Sequence, residues 1–363
     1  MASEPKNDSC PVRLTVSDGS PTIPAIMFSA GVLGNVVALI LLEIRRRKQP
    51  ASLFQVLVTS LVITDLLGTF SVSPIVLTAY LRNESLIGMN ENRFVCGHFG
   101  YAMTFLSMVT LAILLSMAVE RWLSIGHPYF YEKRLSKRCG YITIALIYLL
   151  CALFCVAPFL GFGKYVQYCP GTWCFIDMDP SMRSHKVFNI IYATCLLVMI
   201  ICTVLCNVSV IYHLSLMNRR RKAHRSSIQR QRGHKRQRSI TKEVEHLVLL
   251  GFMTIAFFIC SLPLVIQVYL RYTLFNQESH KNDRISLLLL SANPIIDPWV
   301  FIILSPPVPR LLWNKICKTS KSKPTPEKVR SIHPVMYQSS PPGDSEGGNF
   351  LKVYTGIPGT AGF

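Results

Sequence analysis

Charge is scarce in this sequence: 16% of the 363 residues are charged, where a soluble domain carries about a quarter. Acidic residues are scarcer still, 19 against 38 lysines and arginines, for a formal net charge of +19. With half of the residues hydrophobic, too little polar material remains to dress a surface in water, and a second, apolar solvent is implied. The bilayer is that solvent. The arrangement of the basic residues argues against a nucleic-acid-binding protein. They alternate with long apolar runs, as in loops facing anionic lipid, instead of sharing one folded polar surface.

Other things are missing too. Residues 1–20 are polar and hold no apolar core, so no cleavable leader is read there and the first apolar run is expected to serve as insertion signal and anchor. HExxH, GxSxG and P-loop motifs are absent, and no enzyme is indicated. The histidines are scattered without the paired spacing of metal ligands; His127 and His246 are expected as interfacial residues. There is no internal repeat of the kind common in transporters.

What is abundant is long apolar runs. A helix needs roughly 20 mostly apolar residues to cross the hydrocarbon core. Seven stretches qualify: about 22–44, 54–80, 96–123, 139–161, 187–214, 245–270 and 285–305. The expected fold class is an all-α membrane protein, a seven-helix bundle. Its parts are an outer arm at 1–21, the bundle at 22–305, a short amphipathic surface helix at 306–318 and a disordered cytoplasmic tail at 319–363.

Lysines and arginines set the direction. The connections after the first, third and fifth spans hold 4, 5 and 11 of them and the tail holds 8, so 28 of 38 fall on one side. By the positive-inside rule the N-terminus is outside and the C-terminus in the cytosol. The sequons at Asn7 and Asn83 then fall on the outer face, where glycosylation is possible, whereas the one at Asn207 lies within a span. Of twelve cysteines, Cys10, Cys96, Cys169 and Cys174 lie in the oxidising compartment, which leaves three disulfide connectivities open.

Several polar residues sit where lipid should exclude them. Asp65 lies mid-span in LVITDLLGTF and Asp297 in NPIIDPWVF, with Asn35 and Asn293 at similar depth. Buried ionisable groups in a bundle point to function. Here they suggest a polar cluster that holds water or a sodium ion near Asp65 and rearranges as the bundle opens. The plainer reading is interhelical hydrogen bonding worth around 1 kcal/mol each. Pro74, Pro158, Pro263 and Pro298 fall in or near the ends of spans; proline bends a helix, and Pro263 is the natural pivot of the sixth. Read alone, Glu120-Arg121-Trp122 at the cytosolic edge of the third span is a snorkelling anchor.

These positions resemble the rhodopsin-like receptors: Gly34-Asn35, Leu61 to Asp65 as LxxxD, Glu120-Arg121 in place of D/E-R-Y, and Asp297-Pro298 where most of that class has N-P-x-x-Y. The departures are specific. CSLP stands for C-W-x-P in the sixth span, and with YVQYCPGTWCFI at 165–176, ERWLSIGHPYFY at 120–131 and MFSAGVLGN at 27–35 they resemble the prostanoid receptors. The resemblance covers roughly residues 25–317. SIGHPYFY, MFSAGVLGN and SPPVPRLL look most like the Gs-coupled prostaglandin E2 branch, and FLGFGKYVQYCPGTW looks equally like the prostaglandin D2 branch, with the prostacyclin branch a third choice.

The resemblance implies a receptor for a prostanoid lipid, partnered by a heterotrimeric G protein, Gs, that stimulates adenylate cyclase and raises cyclic AMP. It implies a Cys96–Cys174 bridge, with Cys10 and Cys169 as the other pair, and gives Glu120 and Arg121 to G-protein coupling. Asn35, Asp65, Pro263, Asp297 and Pro298 become the switch. It places Tyr80 and Thr172 on the ligand carboxylate and lines the pocket with Met27, Trp173 and Ser291, under a loop that sends the ligand in from the lipid side. The family's cation in the last span is absent, its position being Leu288. Arg284 lies four residues earlier, on the same helical face and about 6 Å further out, and is expected to take over that role. Cys317, after the last span, is the candidate for palmitoylation. Rival readings are a ligand-silent dimer partner and a small transporter.

Overall fold

A computed structural model describes residues 12–16, 19–48, 52–90, 92–178, 180, 182–223, 230–273 and 280–304. Asn7, Cys10, Cys317, the surface helix expected at 306–318 and the tail at 319–363 lie outside these residues. Each apolar run forms a helix, because in hydrocarbon only a helix satisfies every backbone polar group within one segment. The helices are α1 (Thr22–Lys48), α2 (Leu53–Arg82), α3 (Phe94–Gly126), α4 (Pro128–Arg134), α5 (Lys137–Val156), α6 (Arg183–Ala223), α7 (Arg230–Thr273) and α8 (His280–Leu304). Among the described residues, α4 is too short to cross a membrane and the other seven are long and apolar enough.

Local chemistry sets several ends. Ser52 caps α2 by accepting from the Gln55 amide at 3.2 Å, and Asn83 ends that helix in the left-handed conformation that asparagine tolerates. Proline at its first position starts α4 within the connection between the third and fourth spans. α6 and α7 run well past the expected 187–214 and 245–270, because the basic segment between them is rich in arginine, lysine and glutamine, which favour helix once nucleated. Pro158, expected in or near the end of a span, lies in a 3-10 turn, Ala157–Leu160, at the end of α5.

α3 runs through the middle and touches α2, α5, α6 and α7, while α8 packs on α7 and α1 and closes the ring. Close approach of α1 to α8 depends on Gly34, where a Cβ would stand 2.9 Å from the Trp299 indole nitrogen. That indole donates to the Ala30 carbonyl at 3.2 Å, and the Asn35 amide donates to the Pro294 carbonyl at 3.0 Å. Large apolar side chains form the outward face, as on α5, where Leu146, Leu149, Leu150 and Leu153 are all more than half exposed. Such a belt is tolerable only against lipid.

One end of the bundle carries a hairpin, β1 (Tyr165–Tyr168) and β2 (Trp173–Ile176), paired antiparallel with Tyr165 opposite Ile176 and Tyr168 opposite Trp173. Gly171 supplies the positive φ, 103°, that its turn needs. Cys174 is bridged to Cys96 at the start of α3, which holds the hairpin across the helix ends. Cys169 is also disulfide-bonded; Cys10, its expected partner, is outside the described residues. The other end of the bundle carries Glu120 and Arg121.

Candidate functional site

Beneath the hairpin lies a cavity with about 1210 Å3 of space between atoms, its open part included. Helical spacing explains its walls. α8 contributes Arg284, Leu288, Ser291 and Ile295, at intervals of four, three and four, which is one face of an α-helix. α2 contributes Thr69, Val72, Ser73, Val76 and Tyr80 by the same rule, and α1 contributes Ile23, Pro24 and Met27. Trp173 of β2 covers the space, edge-on to Phe99 with ring centroids 5.8 Å apart.

The structure therefore brings six of the seven expected ligand residues, Met27, Tyr80, Trp173, Arg284, Leu288 and Ser291, to one cavity. Thr172 is not among the lining side chains. It is buried beside Trp173, and its hydroxyl has no hydrogen-bond partner among the described residues. Ser291 donates to the Leu288 carbonyl at 2.8 Å, so toward the cavity its oxygen can act as an acceptor.

Arg284 is the one charged side chain on the described wall. Its neighbour Asp283 does not neutralise it, because Asp283 is buried and accepts from one Arg271 terminal nitrogen at 2.7 Å to each carboxylate oxygen. That pair ties the adjacent ends of α7 and α8 together. The cavity thus joins a long apolar trough to one cation at its mouth, the complement of an amphipathic acid.

Sequence reasoning missed part of this site. Gly19 and Ser20, from the arm before α1, complete the rim, and a Cβ on Gly19 would come within 2.9 Å of the Tyr80 ring. The arm is held there by Arg13, whose carbonyl accepts from Ser85 Oγ at 2.7 Å and from Gln167 Nε2 at 2.9 Å. No sequence signal places these non-local contacts. Ser73 and Thr69 were findable, since they share helical faces with Tyr80 and Asp65.

The floor of the cavity reaches the polar cluster. Thr110 and Asn293 line it, and Thr110 donates to the Asp65 carboxylate at 3.4 Å. Asp65 and Asp297 are both buried and interact electrostatically. One Asp65 oxygen, both Asp297 oxygens, the Asn35 oxygen and both polar atoms of Asn293 have no protein partner among the described residues. Unpartnered buried oxygens are of the type that takes water or a small hard cation.

At the opposite end, the snorkelling reading of Glu120-Arg121 is overturned: both are buried, at 3% exposure, and paired with each other. Glu120 also accepts from the Tyr131 hydroxyl of α4 at 2.6 Å. The Arg121 guanidinium lies 4.7 Å from the Phe54 ring centre and 3.4 Å from His246 Nδ1 of α7. His246 is stacked on Phe54 at 4.5 Å, so it is a packed member of this cluster and not an interfacial side chain. Pro263 lies within α7, about 4.7 turns from His246. Asn83 is exposed at the hairpin end, as a glycosylation site must be.

Comparison with known proteins agrees with this architecture. Residues 34–301 match the 7 transmembrane receptor (rhodopsin family). Squid rhodopsin superposes with a TM-score of 0.69 over 84% of this chain and 88% of its own, at 14% identity, a likeness of fold alone. The prostaglandin E2 receptor EP2 subtype of Rattus norvegicus is 45% identical over 328 residues, 85% of this chain and 89% of that receptor. The prostacyclin receptor of Homo sapiens is 41% identical over 85% of this chain and 79% of its own. The prostaglandin D2 receptor of Mus musculus is 40% identical over 85% and 92%. The chain is a multi-pass membrane protein that belongs to the rhodopsin family of seven-transmembrane receptors and, within it, to the prostanoid receptors, a family of receptors and not of enzymes.

Proposed function

We propose that this protein is a plasma-membrane receptor for prostaglandin E2 that signals through Gs to stimulate adenylate cyclase and raise cyclic AMP. The observation that carries the ligand class is the apolar cavity with Arg284 as the one cation among the described residues that line it. The prostanoid carboxylate binds Arg284, with Tyr80 as a further donor, and its chains run down between α1, α2 and α8 over Leu288. Similarity to the EP2 subtype supports prostaglandin E2 over its relatives, and prostaglandin D2 and prostacyclin are the alternatives. The hairpin end faces outside and the Arg121 end faces the cytosol, in keeping with the 28 basic residues on that side.

Ligand binding favours the open bundle and shifts a pre-existing equilibrium. α7 then swings about Pro263, breaking the Arg121–His246 contact and freeing Arg121 for the G protein. A sodium ion held by Asp65, Asp297 and the neighbouring unpartnered oxygens stabilises the closed form, because two buried carboxylates within electrostatic range need a compensating cation or proton.

Cyclic AMP measured in transfected cells against prostaglandin E2, prostaglandin D2 and a prostacyclin analogue tests the reading. A response led by prostaglandin E2 supports it, and a response led by another prostanoid moves the ligand while keeping the coupling. Silence toward all three, with the chain at the cell surface, would sink it.

A further inference from the structure

A second concavity opens at the hairpin end of the bundle, apart from the ligand cavity, between the start of α3, the turn after α5 and β1. It has about 880 Å3 of space between atoms, its open side included. Two cations stand in its wall, Arg93 and Lys164, and no acidic side chain joins them there among the described residues. Both are exposed, and neither makes an ion pair among the described residues. Apart from Asn92 at the exposed rim, the other polar side chains of the wall are committed. Tyr165 donates to the Cys155 carbonyl at 2.9 Å, and Gln167 accepts from the Ile87 amide at 3.0 Å while donating to the Arg13 carbonyl at 2.9 Å. What remains for an occupant is apolar: Ile87, Pro158, Phe159 and Val166.

The concavity straddles the membrane boundary. Phe94, Phe159 and Leu160, at the adjacent helix ends, are 70%, 57% and 80% exposed, and aromatic side chains gather where lipid meets water. Beyond Phe159 the apolar edge continues on α3. The Tyr101 ring centre lies 6.2 Å from that of Phe159, and Phe105 is stacked on Tyr101 at 5.7 Å. From Gly97 in the wall to Phe105 the helix rises ~12 Å, most of the ~15 Å of one leaflet's hydrocarbon. Two unpaired cations above an apolar edge of this length complement a single acyl chain that ends in a carboxylate. Anionic phospholipids belong to the cytoplasmic leaflet, and in the orientation proposed above this site faces the other one. Phosphatidylcholine brings a cation of its own. A prostanoid would bring ring oxygens to a wall whose Tyr165 and Gln167 are already bonded to the protein.

We propose that this concavity is a binding site for a long-chain fatty-acid anion of the outer leaflet, its carboxylate between Arg93 and Lys164 and its chain along Phe159, Tyr101 and Phe105. The site backs onto β1, whose partner β2 carries the Trp173 that covers the ligand cavity. Binding requires neither prostanoid nor G protein, so its test is independent of the receptor's ligand and coupling.

Photolabelling of the full chain in phosphatidylcholine nanodiscs, with palmitate carrying a diazirine near its methyl end, reads the site once the labelled peptides are mapped by mass spectrometry. Label is expected on α3 around Phe105 or on the facing part of α5. Excess palmitate should displace it, whereas methyl palmitate, which lacks the charge, should not. The double variant Arg93→Gln, Lys164→Gln should cut this labelling about 10-fold at a subsaturating probe concentration, two exposed charges acting together. Val166→Trp should also cut it, by filling the apolar wall with both charges intact. Asn92→Trp, at the rim, serves instead if the first variant unfolds below the wild-type temperature. Label confined to other helices, equal displacement by palmitate and its methyl ester, or stronger displacement by prostaglandin E2 than by palmitate would overturn the proposal. So would undiminished labelling of either the charge variant or the filled variant.

Discussion

Arg284 is the one charged side chain on the described wall of the cavity, so the proposed carboxylate site is tested there. Asp283 is engaged by Arg271, so Arg284 faces the cavity without a competing carboxylate from its chain neighbour, and removing it leaves the wall without charge. Arg284→Ala should weaken prostaglandin E2 about 10- to 100-fold in radioligand competition, the worth of a hydrogen bond to a charged group. Leu288→Arg, one turn deeper on the same face, should restore affinity in that background. Unchanged affinity in Arg284→Ala would assign the carboxylate elsewhere. The Arg284–Leu288–Ser291–Ile295 face was legible because 3.6-residue periodicity depends only on the local chain. Burial of Glu120 and Arg121 was not legible: it depends on Phe54, Tyr131 and His246, brought in by three other helices. A charged pair at a span's end reads the same whether it faces lipid headgroups or a packed cluster.

Among the elements, the meeting of α7 with α8 and of α7 with α3 are the joints to test. The Arg271–Asp283 pair ties the outer ends of the first two, with Asp283 almost wholly inside. Asp283→Asn should destabilise the chain by about 3 kcal/mol, because it strands a mostly buried guanidinium. Adding Arg271→Gln should return part of that loss, a coupling that thermal unfolding of the two single variants and the double variant measures. Equal and additive losses would show the pair to be incidental. At the other joint, His246→Ala removes the α7 partner of Arg121 and should raise basal cyclic AMP about 2- to 10-fold, the equilibrium shift for one hydrogen bond. These joints explain which elements were hidden from sequence. The seven spans announce themselves by apolar length, whereas α4 and the hairpin are short and polar enough to read as loops, and they take their shape from Glu120 and from the Cys96–Cys174 bridge.

At the scale of the molecule, the ligand cavity and the buried carboxylates form one continuous feature, since Thr110 and Asn293 belong to both the cavity floor and the polar cluster. A ligand that fills the trough would then press on the residues proposed to hold sodium, and the two occupants would compete through shared walls. By linkage that competition is reciprocal: if sodium favours the closed bundle, agonist must weaken sodium to the same degree that sodium weakens agonist. Raising sodium chloride against choline chloride at constant ionic strength should lower agonist affinity in the wild type about 5- to 10-fold, within the usual range of allosteric coupling, and leave Asp65→Asn unmoved. Asp297→Asn should lose part of the effect, because Asp65 retains the Thr110 contact. Sodium-insensitive binding in the wild type would leave these carboxylates a structural role only. Equal sodium sensitivity in Asp65→Asn would place the ion elsewhere in the bundle.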